Sequence, residues 1–289
     1  MRFAIIATPR AGNSVLRKTI SAAYGLQEFG GHDPRLLEGD LPDDSIFQVH
    51  ARYSPELRRS LAAQGVIVVT PTRHPLDTLL SMLHFAQFEP EVNHWLGGNY
   101  LTELEGCDPS SRAFRTFATG EGAHELLGVS LGWWPHADVA IRYCDFNEDP
   151  TVVLERPEMP EPRLTRHHPS VRDSGSFARF HSAPNMHGWL GQPGYWQHFI
   201  PTSLVKTLYS IHQPSFDIGH YDISDSEELT PQQIRSNWAA AFAGREENAR
   251  RGFGSRLTAR SQHASNKLKG ATAAAAGAAG TAGLLRILG

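Results

Sequence analysis

The opening segment of the chain constrains its fold more than any other. Phe3 to Ala7 form an apolar run that stops at a turn containing Pro9 and Gly12. The residues after this turn carry apolar side chains at helical spacing, namely Val15, Leu16, Ile20 and Ala23. This order predicts a buried strand that leads through a short turn into a helix. Backbone N–H groups and the helix dipole then point at the same place, so we expect an anion to bind at the turn.

The turn lacks the residues of a nucleoside triphosphatase. A Walker A turn needs a Lys followed by Ser or Thr after its second Gly, whereas here Asn13 and Ser14 follow a single glycine, Gly12. The sequence has neither the Walker lysine nor a following magnesium-binding Asp, which disfavours a P-loop kinase. We expect a phosphate-binding turn that works without magnesium.

Strand and helix patterns alternate along the chain. The predicted strands are 2–8, 45–50, 66–71 and 138–145, and the predicted helices are 13–24, 54–64 and 75–87. Apolar strands that alternate with helices favour a three-layer α/β/α fold with a central parallel sheet. Ligands of such sheets bind at the carboxyl ends of the strands. His50, Arg73 and the turn from Pro9 to Ser14 all follow predicted strands, which predicts one shared site.

Two segments resemble nucleotide-binding motifs of the sulfotransferases that use 3′-phosphoadenosine 5′-phosphosulfate (PAPS). Thr8 to Ser14 is similar to the family's 5′-phosphosulfate loop, in which Pro and a basic residue precede a small residue, Gly and two polar residues. Val66 to Ser81 resembles the 3′-phosphate segment, an apolar strand followed by Arg, Asp or Asn, and Pro. Its motif residues Arg73, Pro75, Asp77 and Ser81 are in register, while His74 replaces the usual acid or amide.

Further segments resemble the family in the expected order through most of residues 1–200. His50 stands where the cytosolic branch has its catalytic histidine, and 139–150 is similar to the strand that ends in a Tyr-Glu-Asp motif. Ser176-Phe177 and 191–199 resemble two later motifs. The resemblance implies a sulfotransferase α/β domain over 1–250, with a P-loop-like phosphosulfate-binding turn.

The resemblance also implies a role for each matching residue. Arg10 would stabilise the leaving phosphate and His50 would act as the general base. The implied PAPS-binding residues are Pro9, Arg10, Ala11, Gly12, Asn13, Ser14, Arg73, Ser81, Tyr143, Ser176, Phe177, His187 and Gly188. The alternatives are a surface arginine at position 10, a polar strand-end residue at 50, a salt bridge between Arg73 and Asp77, and a core aromatic at 143. The expected acceptor is a hydroxyl or amine of a small molecule or carbohydrate.

Three departures from the family motifs support a second hypothesis. Gln48 replaces a lysine, Val15 replaces an aromatic residue after the turn, and Met186-His187-Gly188 replaces an Arg-Lys-Gly grip on the 3′-phosphate, for which Arg172 or Arg179 would have to compensate. A catalytically silent protein that binds PAPS or its product as a sensor or scaffold would tolerate these changes.

Composition excludes several other classes. The net charge of −3 and pI near 6.6 give no basic field for nucleic acid. Two distant cysteines and scattered histidines indicate neither a disulfide framework nor a metal site. The N-terminal apolar run is too short for a signal peptide, so we expect a cytoplasmic protein. The sequence does not indicate an oligomeric state.

The remaining segments leave alternatives open. Residues 89–136 either line an acceptor pocket or form a helical crossover with packed tryptophans, and 156–187 form either a lid or a plain loop. Residues 251–289 are basic and then rich in Ala and Gly, which predicts a flexible tail without stable membrane insertion.

Overall fold

Five parallel strands form the centre of the molecule. The structure is a computed structural model that describes residues 1–31, 33–87, 95–174, 191–223 and 227–242. The strands are β1 (Arg2–Ile6), β2 (Gln27–Gly30), β3 (Ser45–Val49), β4 (Val66–Thr72) and β5 (Val139–Arg142). They pair in the order β2-β3-β1-β4-β5. Their carboxyl ends therefore open toward the same edge of the sheet.

Helices follow most of the strands. The α-helices of the described residues are α1 (Asn13–Tyr24), α2 (Pro55–Ala63), α3 (Pro75–Ala86), α4 (Arg112–Thr119), α5 (Glu121–Trp133), α6 (Tyr143–Phe146), α7 (Pro169–Ser174), α8 (Thr202–Asp217) and α9 (Pro231–Phe242). Short 3-10 turns lie at Pro34–Leu37, Trp95–Gly97, Thr102–Leu104, Trp134–His136, Pro150–Glu155 and Tyr195–His198. The predicted strands and helices are all present in the predicted order, with ends shifted by at most three residues, and β2 is a further strand that was not predicted.

Alternating side chains on β1 create the three layers. Phe3 and Ile5 pack on one face of the sheet in a core that includes residues of α1, α6 and α7. Ala4 and Ile6 pack on the other face with residues of α2 and α5. Because successive strand side chains point to opposite faces, an unbroken apolar run is buried on both sides. This arrangement confirms the predicted three-layer α/β/α fold.

A second, mainly helical core lies beyond β4. Every residue of α3 is buried, and its apolar side chains pack with those of α4, α5, α8 and α9. Helices α4 and α5 connect β4 to β5, and Trp133 at the end of α5 is fully buried against the sheet. The described residues 95–136 thus include the predicted helical crossover with buried Trp95 and Trp133, while a role of this segment in an acceptor pocket stays a prediction. The predicted tail, 251–289, lies outside the described residues.

Candidate active site

Helix α5 holds the residue at which the β1 turn begins. The Thr8 amide donates a 2.8 Å hydrogen bond to Ser130 Oγ, and the Ser130 amide donates a 3.1 Å bond to Thr8 Oγ1. Ser130 Oγ in turn donates to the Pro71 carbonyl at 2.8 Å. One buried serine therefore joins the loop after β1 to the end of β4.

The turn after β1 requires a glycine at position 12. Gly12 has φ 94°, and a Cβ built there would lie 2.8 Å from Phe146 Cζ and 2.9 Å from Tyr143 Cδ2. Asn13 closes the turn by donating from Nδ2 to the Thr8 carbonyl at 3.0 Å, while its buried Oδ1 has no hydrogen-bond partner among the described residues. Within the part of the chain that the structure describes, the N-terminus of α1 has no side-chain cap. A tight turn that leads into an uncapped helix end suits a phosphate group.

Arg10 and Ser81, which the sequence predicts in different parts of the nucleotide site, are in contact. Arg10 Nε donates a 3.1 Å hydrogen bond to Ser81 Oγ on α3, and the guanidinium carbon lies 5.0 Å from the centroid of Phe85. Arg10 itself has φ 70°, a left-handed conformation that is unusual for a residue with a Cβ. Strained backbone of this kind clusters at functional sites.

Arg73 lies between the β1 turn and Tyr143. Its guanidinium carbon is 4.6 Å from the centroid of the Tyr143 ring, and its Nη1 donates to the Arg10 carbonyl at 3.3 Å. The Tyr143 hydroxyl donates to the Gly191 carbonyl at 2.7 Å, and burial raises the pKa of this phenol. The ring of Tyr143 is only 3% exposed. Its contribution to an adenine pocket stays a prediction.

His50 is held in one tautomer at the end of β3. Its Nδ1 lies 2.7 Å from the Ala7 carbonyl oxygen, which can only accept a hydrogen bond, so Nδ1 carries the proton in the neutral ring. Nε2 is then the basic nitrogen. The ring packs edge-on against Trp95 at a centroid distance of 6.0 Å and is 3% exposed.

Gln48 also faces this edge of the sheet. Its Oε1 accepts a 3.2 Å hydrogen bond from the Ser14 hydroxyl. The neutral amide that replaces the family lysine is thus tied to the last residue of the turn. Pro9 and Ala11 are buried and shape the backbone of the turn.

His74 and Asp77 organise the start of α3. His74 Nδ1 accepts a 3.3 Å bond from the Leu76 amide, which is the N-cap role that Asp or Asn usually fills. The Asp77 carboxylate accepts from the amides of Gly194 and Trp196 at 2.8 and 3.0 Å. Asp77 therefore fixes the later segment 191–199 against α3.

The structure brings most of the predicted residues together. The turn from Pro9 to Ser14, Arg73, Ser81 and Tyr143 form one connected group through the contacts above, and His50 is bonded to the residue just before the turn. Ser176, Phe177, His187, Gly188 and Arg179 lie outside the described residues, and Arg172 is exposed on α7. Ser130 and Phe85 were not predicted from the sequence, whereas Trp95 lies in the segment 89–136 that was predicted to line a pocket or to pack as a crossover. Only Ser130 had a signal, as a polar residue within an apolar stretch of helix.

The described ranges contain neither a metal-binding cluster nor a membrane-spanning helix. No group of three or more His, Cys, Asp or Glu side chains in that part of the chain is arranged to hold a metal ion. None of the helices there has both the length and the apolar character to span a bilayer.

The fold matches solved structures of sulfotransferases. No family model matches the sequence, and no curated protein sequence matches it. A mouse sulfotransferase, SULT7A1, in complex with 3′-phosphoadenosine 5′-phosphate (PAP) superposes with a TM-score of 0.56 at 14% identity, over 76% of this chain and 86% of that one. The chain has the sulfotransferase fold.

A second solved structure supports the same assignment of the sulfotransferase fold. Retinol dehydratase in complex with androsterone and the inactive cofactor PAP matches with a TM-score of 0.51 at 12% identity, over 80% of this chain and 84% of that one. Within this sulfotransferase fold, the group formed by the β1 turn, Arg73 and Tyr143 lies at the carboxyl edge of the sheet, where α/β folds bind their ligands.

Proposed function

We propose that this protein is a sulfotransferase that moves a sulfuryl group from PAPS to a hydroxyl or amine of a small-molecule or carbohydrate acceptor. One observation carries the proposal. The turn that contains Gly12, the side chains of Arg10 and Arg73, and His50, whose tautomer is set by the Ala7 carbonyl, all lie at the same edge of the sheet. The solved structures with the same fold were crystallised with PAP, and one of them also holds androsterone.

The residues present fit a nucleotide with two separate phosphate groups. Gly12 lets the turn pack against the Phe146 and Tyr143 rings just before the N-terminus of α1, where helix N–H groups favour an anion. Arg10 brings a permanent positive charge to the same turn. Arg73 and Ser81 are the proposed ligands of the 3′-phosphate, the group that distinguishes PAPS from AMP. When bound, PAPS supplies an activated sulfuryl group on a phosphate leaving group.

His50 is the proposed general base. As the acceptor oxygen attacks sulfur, its proton would move to Nε2, while Nδ1 keeps its bond to the Ala7 carbonyl. The ring is therefore oriented before the reaction starts, and imidazole has the basicity to accept a proton near neutral pH. A positioned base of this kind contributes about 10²- to 10⁴-fold in rate.

Arg10 is the proposed electrostatic stabiliser. Negative charge develops on the bridging phosphate oxygen as the sulfuryl group leaves, and a guanidinium in the turn would neutralise it. The left-handed backbone of Arg10 directs its side chain across Phe85 toward Ser81. The Arg10 side chain thus begins in the phosphate turn and contacts residues of α3.

A catalytically silent nucleotide-binding protein is the second candidate. Gln48 favours it, because a neutral amide bonded to Ser14 gives less charge stabilisation than the family lysine. An active sulfotransferase and a silent binding protein would both bind PAP, and only the sulfotransferase would transfer a sulfuryl group from PAPS to an acceptor.

Calorimetry with PAP and AMP tests the nucleotide assignment. We expect tighter binding of PAP, and loss of that preference in Arg73→Ala. Arg59→Ala is the matched control, since Arg59 is an exposed arginine paired with Glu56 on α2. Equal binding of PAP and AMP by the unaltered protein would contradict the proposal. Transfer of radiolabelled sulfate from PAPS to phenols, sugars and amines then separates an enzyme from a silent binder.

A further inference from the structure

A turn near the end of the described chain folds back onto the residues that flank Arg73. After α8, the Gly219 amide donates to the Phe216 carbonyl at 3.2 Å and the Tyr221 amide donates to the same carbonyl at 3.0 Å. His220 between them has φ 52°. This compact turn delivers Tyr221 and Asp222 to the carboxyl end of β4.

Gly219 makes room for the Tyr221 ring. A Cβ built at Gly219 would lie 2.0 Å from Cε2 of Tyr221, far inside contact distance. Any side chain at position 219 would therefore displace the ring. The tyrosine is mostly buried, and burial raises the pKa of its hydroxyl well above the usual value, so the hydroxyl stays a donor.

Two consecutive residues of this turn hold the two neighbours of Arg73. The Tyr221 hydroxyl donates a 2.9 Å hydrogen bond to the Thr72 carbonyl. His74 Nε2 lies 3.0 Å from the Asp222 carbonyl, which only accepts, so Nε2 carries the proton. Arg73 is thus bracketed on both sides by contacts to a segment about 150 residues later in the chain.

The His74 ring uses both nitrogens in this arrangement. With Nε2 donating to Asp222, Nδ1 is free of a proton and accepts from the Leu76 amide at the start of α3. The ring is stacked on Trp196 at 5.3 Å and lies 5.4 Å from the Tyr221 ring. Position, tautomer and orientation are all set by neighbours, which leaves the backbone at Arg73 little freedom.

We infer that Tyr221 and His74 are positioning residues that hold the Arg73 guanidinium in place for the 3′-phosphate of the nucleotide. Arg73 in turn lies over Tyr143 and donates to the Arg10 carbonyl, so a shift of its backbone changes the geometry of the whole anion site. This role depends on the proposed function, since it requires Arg73 to bind the 3′-phosphate.

The test compares PAP and AMP affinities, because AMP lacks the group that Arg73 is proposed to bind. Tyr221→Phe should weaken PAP binding about fivefold, which corresponds to the net contribution of one hydrogen bond, and leave AMP binding unchanged. Tyr209→Phe is the matched control, since Tyr209 is half-buried on α8 and packs against Phe216. A purely structural role would lower both affinities together.

His74→Asn gives a second measurement. Asn keeps a side-chain acceptor for the Leu76 amide but is too short to reach the Asp222 carbonyl, so it should lose PAP preference to the same extent as Tyr221→Phe. Suppose that the unaltered protein binds PAP more tightly than AMP. If both variants then have the same ratio of PAP affinity to AMP affinity as the unaltered protein, the positioning role is wrong and the proposed function stands. If the unaltered protein binds both nucleotides equally, the proposed function and the positioning role are both overturned.

Discussion

The Nδ1 atom of His50 lies 2.7 Å from the carbonyl oxygen of Ala7, the last residue before the β1 turn begins at Thr8. The proposed base and the proposed phosphate turn are therefore held together by one buried contact between neighbouring strand ends. Since the carbonyl can only accept, the contact also leaves Nε2 as the basic nitrogen. Geometry and protonation state are set by the same hydrogen bond.

Replacing His50 should remove turnover without removing nucleotide binding. We expect His50→Ala to lower sulfuryl transfer by about 10²- to 10⁴-fold, because that is the usual contribution of a positioned general base. PAP affinity measured by calorimetry should stay near that of the unaltered protein. His167→Ala, at an exposed histidine, is the control. Full turnover in His50→Ala would exclude it as the base.

Gly12→Ala should destabilise the protein more than a comparable change elsewhere. Gly39 also has a positive φ, 73°, but a Cβ there would meet nothing within 4 Å. Gly39→Ala therefore reports the cost of the backbone conformation alone, about 1–2 kcal/mol. Gly12→Ala adds a clash with Phe146 and Tyr143, so its loss in the free energy of unfolding, measured in urea, should be clearly larger. Equal losses would show that the two rings move aside easily.

Ser130→Ala should weaken the link between α5 and the turn. The Thr8 amide and the Pro71 carbonyl would both lose their bonds to the serine hydroxyl in a buried environment, at a cost of about 1–3 kcal/mol for an unsatisfied buried group. Thermal unfolding measures this loss, with Ser60→Ala on the exposed face of α2 as the control. A stability unchanged from that of the control would mean that the turn is held by other contacts.

Stability should fall as the solution becomes mildly acidic. Burial lowers the pKa of His74 and of His212 below the ordinary histidine value. These two histidines then bind protons at a higher pH in the unfolded chain than in the folded protein. Their contribution to the free energy of unfolding is therefore largest above about pH 6.5 and decreases as the pH falls below that value.

The variant His74→Asn separates one of these two contributions. Because it removes a titrating group with a lowered pKa, the loss of stability between neutral and mildly acidic pH should be smaller than in the unaltered protein. Urea unfolding at several pH values gives the slope of stability against pH for both proteins. A slope in His74→Asn as steep as in the unaltered protein would mean that His74 does not stay neutral on folding.

Gln48→Lys tests the most visible departure from the family motif. If the neutral amide of Gln48 limits stabilisation of the transferring sulfuryl group, a lysine at this position should raise the rate of transfer from PAPS. The increase should be at most about 10²- to 10³-fold, which is the usual effect of one stabilising donor. Transfer to the acceptor panel is the measurement, with Gln213→Lys, at an exposed position of α8, as a control for added charge. Unchanged transfer in Gln48→Lys would show that the amide is not what limits the reaction.

Short-range patterns were enough to predict the elements that carry the site. The apolar run before Pro9 and the helical spacing after Gly12 gave β1 and α1, and the segment from Val66 to Ser81 gave β4 and α3 in the same way. The elements β1, β4 and α3 are almost wholly buried, and α1 buries one face, so apolar residues at regular spacing mark all four in the sequence. In contrast, β2 (Gln27–Gly30) was missed because it is a half-exposed edge strand with little apolar pattern.

What the sequence by itself determined is the order of elements and the kinds of side chain that follow each strand, because both depend on local spacing. Tertiary structure alone decided which of those side chains meet. Ser130 reaches Thr8 across 122 residues and Tyr221 reaches Thr72 across 149. It also decided that His74 caps α3 and that Arg10 contacts Ser81. Such contacts depend on how helices pack on the sheet, and no local pattern encodes the distance between atoms that far apart in the chain.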